Sequence, residues 1–555
     1  MKVCDAIAQW CVDIEAPFVA GIPGFGMLGI IDKLSIDQKV PFILTRHEEG
    51  AAMMAYSYAF RTRTPAVVIA SKAPGSTNLA IGVMGAFIES LPLIVITAQT
   101  GNTNQGYESF EEIDLEAFFK PITKWSVQLN NPSRAIGVLN EAYRRSMTGR
   151  PGPVHVAIPY DFMNQEIASY IRPALPMKAR SSDADAEDIA ALVTTASRPL
   201  VIVGGGLPTQ NAKDVLSIAR SMRAPIVTSW LRKPLPDRDP NVIGMAGIGG
   251  SPAAQSAIHD ADVILALGCR FSEQMTEHFR MKFATNAKLI HVDIDPAVLG
   301  RVYPVEVGVV ADLGSFLPPL ADAVHKAVKS RGLSVNDTWL SELQKTQTGY
   351  RRSLDAKRPT GAKVSSRHVV KELRRQLDDD ALLVLDSGNY LHWAEQYFSV
   401  KSAGLFHYPT SGTMGFGIPG AIGAKIAEPN AFVCALVGDG GFAMTMGELE
   451  TAMRIGTAIL VVIINNGTLG QIRMQEEADF DGRHTGVDFT EQHFAHVPKA
   501  FGAFGSEVSR EEDLLPALKE AVEVVRGGVC AVVDVHVSSE LAAGPLAPWW
   551  TDQEG

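Results

Sequence analysis

Apolar residues along this chain fall in short, β-branched-rich runs: AVVIAS, LIVITA and VHVAIP in the first third, PLVIVGGG, PIVTSW, VILALG and LIHVDID in the middle, AFVCALV and AILVVII in the last. Runs of this length bounded by Gly, Pro, Asn or Asp predict strands buried on both faces, and the helical spacing between them supplies crossovers. The pattern therefore predicts an α/β chain of three Rossmann-like, doubly wound parallel-sheet blocks, at 1–175, 188–330 and 365–555. Between the first two, RPALPMKARSSDADAED is rich in proline and charge and reads as a linker. Between the last two, the polar stretch from SRGLSVNDTW to AKRPTGAKVSS crosses from one block to the next. A length of 555 residues is too great for one core and agrees with about three domains.

Composition narrows the class. With 46% hydrophobic and 20% charged residues the chain reads as an ordinary globular protein. A formal net charge of −11 without a basic stripe excludes a general nucleic-acid binder and leaves room for a local anion site. Five scattered cysteines, mostly inside apolar runs, fit small buried residues in a reducing cytoplasm better than disulfides or a zinc site. The start, MKVCDAIAQWCVDIEA, turns acidic and amphipathic at once, unlike a signal peptide, and no run reaches the ~18 apolar residues that span a bilayer. A cytoplasmic protein with neither membrane nor nucleic-acid partners is the expectation. Gly204-Gly205-Gly206 suggests a dinucleotide loop, but the third glycine of that fingerprint would fall at Thr209.

The densest chemistry lies between Val437 and Gly470, VGDGGFAMTMGELETAMRIGTAILVVIINNGTLG. One predicted strand opens into Gly438-Asp439-Gly440-Gly441, the next into Asn465-Asn466-Gly467. Neighbouring strand ends of a doubly wound sheet face one crevice, which lets the Asp439 carboxylate and the Asn466 amide oxygen reach a single hard cation. Two oxygen ligands suit magnesium, which takes few protein side chains and completes its octahedron with phosphate oxygens. Gly440 and Gly441 let N–H groups approach an anion at the helix start. Asp-Gly and Asn-Gly are common turn dipeptides; their placement on consecutive strands is what singles them out.

This arrangement resembles the signature of thiamine-diphosphate enzymes of the acetolactate synthase, benzaldehyde lyase and pyruvate decarboxylase superfamily. PFILTRHEEGAAMMAYSYAF predicts a short strand and a helix with Glu48 at the junction, and Arg46-His47-Glu48 before Gly50-Ala51-Ala52 is similar to that family's RHE-x-GAA segment. There the glutamate hydrogen-bonds the pyrimidine ring nitrogen and favours the imino tautomer that removes the thiazolium proton, which makes Glu48 the catalytic residue the resemblance implies. SKAPGSTNLAIG at 71–82 resembles the SGPGATN loop beside the pyrimidine, keeping Pro74 but carrying Lys72 and Ala73 for Ser and Gly. TSGTMGFGIPGAIGAK at 410–425 resembles the cofactor-bending segment, with Gly412 in its frame and Met414 as the wedge. LDSGNYLHW at 385–393 resembles the loop that brings Asn389 and Tyr390 to the diphosphate. The implied cofactors are thiamine diphosphate, held by these residues with Gly438, Asp439, Gly440, Gly441 and Asn466, and Mg2+ on Asp439, Asn466 and Thr468.

The likeness spans nearly the whole chain and departs from the family at the substrate positions. Where acetolactate synthases have AFQE, this chain has Ser109-Phe110-Glu111-Glu112, and a carboxylate at Glu111 repels an anionic 2-oxo acid or, protonated, donates to it. Gln475 stands where a tryptophan selects the acceptor, and Phe25 and Gly26 stand where benzaldehyde lyase has its acid–base histidine. In the middle block, GMAG at 244–247, Arg270-Phe271 and Asp293-Ile294 resemble parts of a flavin site, with Ser272 and Gln274 replacing its charged residues, which leaves both a filled and an empty FAD pocket open. The family joins the pyrimidine end of one copy to the diphosphate end of another, so the resemblance implies a homodimer or homotetramer. The implied activity is decarboxylation of a 2-oxo acid and ligation to a second carbonyl. The alternatives are a lyase of 2-hydroxyketones or 2-hydroxyacyl thioesters, through aldehydes, and a noncatalytic homologue. The final stretch, SSELAAGPLAPWWTDQEG, with Trp549 and Trp550, is expected to close over the cofactor.

Overall fold

The computed structural model describes residues 1–37, 39–174, 182–331, 335–336, 338–356 and 363–538. Its strands form three six-stranded sheets, and every recorded strand pairing is parallel. The first contains β1 (Val19–Gly21), β2 (Phe42–Leu44), β3 (Val67–Ala70), β4 (Leu93–Gln99), β5 (Trp125–Gln128) and β6 (Pro153–Pro159), in the order β2-β1-β3-β4-β6-β5. The second contains β7 (Pro199–Val203), β8 (Ile226–Thr228), β9 (Val242–Met245), β10 (Val263–Leu267), β11 (Lys288–Asp293) and β12 (Val307–Val310), in the order β12-β11-β10-β7-β8-β9. The third contains β13 (Leu382–Leu385), β14 (Phe406–His407), β15 (Val433–Gly438), β16 (Leu460–Asn465), β17 (Phe504–Val508) and β18 (Ala531–His536), in the order β14-β13-β15-β16-β18-β17.

The apolar runs explain this layout. β4 and β16 are buried along their whole length, as strands covered by helices on both faces must be. The first and third sheets share one relative strand order. The second has the dinucleotide-fold order, with its direction reversing between β7 and β10. In the third sheet the reversal lies between β13 and β15, so a crevice opens where β15 ends at Gly438.

Two helices occupy stretches whose polarity suggested connections. Asp183–Val193 begins inside the proline- and charge-rich segment because Ser182 and Asp185 form a reciprocal capping box. Trp339–Ala356 turns buried Trp339 and Leu343 onto the middle unit and leaves its polar side outside. The first and third units share one apolar core, in which helix Glu48–Thr62 packs on helix Gly417–Ala427. Their crossing is so close that a Cβ on Gly423 would stand 2.0 Å from the Met54 carbonyl oxygen. All five cysteines are free and buried. No helix among the described residues is long and apolar enough to cross a membrane. The tail with Trp549 and Trp550 lies outside the described residues.

Candidate active site

Two adjacent strand ends build the crevice where the sequence places the diphosphate. Gly438 pairs with Ile464, so β15 and β16 release Asp439 and Asn466 side by side into the crevice. Asp439 is buried; its Oδ1 accepts from Gly440 N at 2.9 Å and its Oδ2 from Gly467 N at 2.7 Å, tying the two turns together. Burial raises its carboxyl above the ordinary range, against the pull of those N–H donors. Asn466 Oδ1 accepts from Thr468 N at 3.2 Å, while the Thr468 hydroxyl donates to Val487 O at 2.9 Å. A Cβ on Gly470 would stand 2.7 Å from Asn466 Nδ2 and 2.9 Å from Asn389 Nδ2, so the two amides converge on a space that glycine keeps open. Met414 meets the same crevice, with its methyl 3.4 Å from the place of a Gly440 Cβ, and the Tyr390 ring lies 3.3 Å from the place of a Gly438 Cβ. Gly412, at φ +73°, makes the turn before Met414. Gly441 packs against Asp386, where a Cβ would be 2.9 Å from Cγ.

Asp386 carries no signal in the sequence beyond its place before Ser387-Gly388-Asn389, yet it frames the wedge. It is fully buried and accepts from Ser387 N at 2.7 Å, Gly415 N at 2.9 Å and Gly417 N at 3.0 Å, pinning the backbone on the C-terminal side of Met414. Burial pushes its carboxyl up to about 7 against these donors. On the N-terminal side of the same segment, Thr410 donates through N and Oγ1 to Glu89 Oε1 at 2.6 and 2.9 Å. Glu89 in turn pairs with Arg232 at 2.8 Å. Burial alone would raise the Glu89 carboxyl; the Arg232 guanidinium, His407 and the Thr410 N–H together outweigh it and hold it below the ordinary range.

At the position expected to meet the pyrimidine, Glu48 opens the helix after β2. His47 caps that helix, its Nδ1 accepting from Glu49 N at 3.2 Å. Glu48 is 7% exposed and its Oε2 accepts from Asn78 Nδ2 at 3.0 Å. Its Oε1 lies 2.8 Å from the place of a Gly75 Cβ, which brings the loop of Pro74 against the carboxylate. Glu448, on the helix between β15 and β16, reaches back from the third unit and accepts from Arg46 N at 3.0 Å and His47 N at 3.1 Å. Gly50 makes this approach possible, since a Cβ there would stand 2.4 Å from Glu448 Oε1.

The substrate positions gather around an unexpected lysine. Lys72 is buried, donates to Phe110 O at 2.7 Å and pairs with Glu111 at 3.6 Å. Its ammonium also lies 5.3 Å from the Phe25 ring centroid and 5.0 Å from that of Phe110. The two departures from the family motifs, Lys72 and Glu111, are thus partners. Gly26, at φ +92°, follows Phe25, and its α-carbon packs toward Ala98. Gln475 sits half-buried on the third unit's helix Gly470–Asp479, with no recorded contact to the Lys72 group.

At the middle sheet's reversal point lies a cavity of about 870 Å³, walled by Gly204-Gly205-Gly206, Gly268 and several arginines, Arg63, Arg232 and Arg270 among them. A Cβ on Gly204 would be 2.0 Å from Gly268 O, so the glycines serve loop packing although the spacing fails the dinucleotide fingerprint. Arg232 Nη1 is buried with no hydrogen-bond partner. Ser272, Gln274 and Asp293 face the same space.

Three family models of thiamine pyrophosphate enzymes match the chain: the N-terminal TPP binding domain over residues 1–118, the central domain over 186–320 and the C-terminal TPP binding domain over 386–535. The acetolactate synthase large subunit of Corynebacterium glutamicum is 32% identical, over 98% of this chain and 88% of its own length. That of Lactococcus lactis subsp. lactis is 31% identical, over 98% and 93%. The probable acetolactate synthase large subunit of Methanocaldococcus jannaschii is 31% identical, over 94% and 90%.

Proposed function

Because the chain belongs to the thiamine pyrophosphate enzyme family, as an acetolactate-synthase-like carboligase that uses thiamine diphosphate, we propose that it decarboxylates a 2-oxo acid and joins the remaining acyl unit to a second carbonyl compound. The observation that carries this reading is the pair of buried carboxylates, one in each half site: Glu48 held by Asn78 on the first unit and Asp439 beside Asn466 on the third. When bound, thiamine diphosphate supplies the electron sink that accepts the pair released with carbon dioxide. The chain's own residues orient it and hold its protons. Glu48 shares a proton with the pyrimidine ring. Met414, gripped by Asp386 and Glu89 through its flanking residues, supports the bend.

Magnesium fits the diphosphate end. Asp439 offers a buried carboxylate, Asn466 an amide oxygen, and Thr468, whose hydroxyl is committed to Val487, its main-chain carbonyl. FAD fits the middle cavity, whose dinucleotide-fold reversal point, glycine loop and partnerless Arg232 Nη1 suit a diphosphate bridge. Denaturing the purified protein and recording flavin absorbance tests that assignment. At the substrate rim, Lys72 offsets the charge of Glu111 and meets the carboxylate of the 2-oxo acid.

The active unit is a homodimer or a dimer of dimers. Large apolar side chains stand exposed around both half sites: Phe25, Leu28, Tyr107 and Phe110 on the first unit, Met444, Ile472, Phe480 and Phe489 on the third. A second copy, laying its third unit on this first unit, covers both groups. Incubation with a panel of 2-oxo acids, aldehydes and 2-hydroxyketones, followed by mass spectrometry of the products, tests the reaction. Carbon dioxide release with a ligated product supports it. Cleavage of a 2-hydroxyketone without carbon dioxide assigns the lyase direction instead.

A further inference from the structure

A second group of ligand-type side chains stands at the β17 edge of the third sheet, next to the turn of Asn466 but formed by none of the residues assigned to thiamine diphosphate. Glu507 on β17 pairs in register with Asp534 on β18, and His536 follows two positions later, so the three side chains share one face. His493, just before the short helical turn Phe494–His496, completes the group. His493 Nδ1 lies 3.1 and 3.2 Å from the two Glu507 carboxylate oxygens, and His536 Nε2 lies 3.3 Å from Glu507 Oε1. One ligand atom from each residue falls within 4.8 Å of the other two.

These separations match a metal site. Ligand atoms bonded to zinc at about 2.0–2.1 Å stand about 3.3 Å apart along a tetrahedral edge. A single histidine–glutamate ion pair needs one imidazole, yet two are turned onto the Glu507 carboxylate, the exposed His493 and the buried His536. That residue is 9% exposed, and its Nε2 makes no hydrogen bond. With both imidazoles neutral and their other ring nitrogens carrying the proton, a divalent ion between them and the carboxylate takes both lone pairs at once. Asp534 supports the group from behind. It is fully buried, and its Oδ2 accepts from Phe494 N at 2.7 Å, fixing the backbone next to His493.

We infer that His493, Glu507 and His536 bind a divalent ion of the zinc class, through two imidazoles and a carboxylate. The nitrogen donors set this ion apart from the magnesium assigned to Asp439 and Asn466. His493 and Glu507 lie at the surface, so the fourth position opens to water. The ion pins edge strand β17 and one end of the 487–493 loop. The other end of that loop holds the diphosphate turn: Leu469 N donates to Val487 O at 2.8 Å and Phe489 N to Gly467 O at 2.8 Å. Asp534 Oδ1 also accepts from the side chain of Asn465, the neighbour of Asn466, at 3.0 Å. Occupancy therefore anchors the segment that shapes the magnesium site.

Titration of the untagged, full-length protein with Co2+, in the presence of Mg2+ and thiamine diphosphate, tests the inference by visible spectroscopy and Zn2+ competition. The expected result is one tight Co2+ per chain with the visible bands of four-coordinate nitrogen and oxygen ligation, displaced by Zn2+. His493→Gln changes a surface residue and keeps the fold; it should weaken Co2+ binding by more than about tenfold, since even supporting groups around a metal are worth that much. His536→Gln should do the same, with an unchanged far-UV circular dichroism spectrum and thermal transition as the check on folding. Absence of such bands in the unmodified protein, or Co2+ binding by both variants as tight as by the unmodified protein, would overturn the site.

Discussion

The proposed cofactor cradle and the proposed substrate rim of this protein obey different rules. In the cradle, Asp439, Asp386 and Glu448 each accept from two or three backbone N–H groups, while Glu48 accepts from the Asn78 side chain. At the rim, charge answers charge through side chains, Lys72 to Glu111, among the exposed rings of Phe25 and Phe110. Backbone donors fix a geometry that side-chain substitution barely alters, whereas a side-chain pair can be exchanged as a unit. The cradle therefore keeps the cofactor chemistry of the family, and the rim is where this chain departs from it.

The comparison breaks first at Glu48. Glu48→Gln keeps the carboxylate's shape and its neighbour Asn78 but not the proton exchange, so turnover should fall by about 10²- to 10⁴-fold with the fold intact. Near-normal steady-state turnover would remove Glu48 from its role. At the other end of the cradle, Asp439→Ala should weaken thiamine-diphosphate binding by at least about tenfold, in a magnesium-dependent manner. Tryptophan quenching with and without chelator checks this, and affinity that ignores both the mutation and the chelator would exclude the metal site.

The rim gives a smaller and more specific effect. Lys72→Met removes a charged hydrogen-bond donor and leaves Glu111 uncompensated, so kcat/KM for a 2-oxo acid should drop roughly tenfold or more, the range for a charge-assisted contact. The double variant Lys72→Met, Glu111→Gln should recover part of that loss, because it removes the repelling carboxylate as well. Simple additivity of the two changes would show that the pair does not act as one unit.

The same contrast explains what was legible in the sequence. Asp439 and Asn466 announce themselves because strand, turn and glycine are local patterns, and so do the buried strands and the junction at Glu48. The grip of Glu448 on Arg46 and His47 spans more than 400 positions and uses backbone donors, which leave no trace in side-chain identity. Lys72 and Glu111 each read as an isolated departure, since only the fold carries residue 111, at φ +60°, back to the lysine. The helices Asp183–Val193 and Trp339–Ala356 hid in polar stretches because each buries only a narrow apolar side. The glycines at 204–206 fail the fingerprint, yet the strand order makes the crevice without it.

The central claim is that one chain carries two halves of different active sites, Glu48 on the first unit and Asp439 on the third. It is tested most directly by mixing Glu48→Gln and Asp439→Ala under conditions that exchange subunits, at a cofactor concentration too low to activate Asp439→Ala alone. Random reassociation into symmetric dimers yields hybrids with one intact site, so activity should return to about a quarter of the unmodified level. Hybrids that form, as native mass spectrometry would show, but recover no activity would contradict the account.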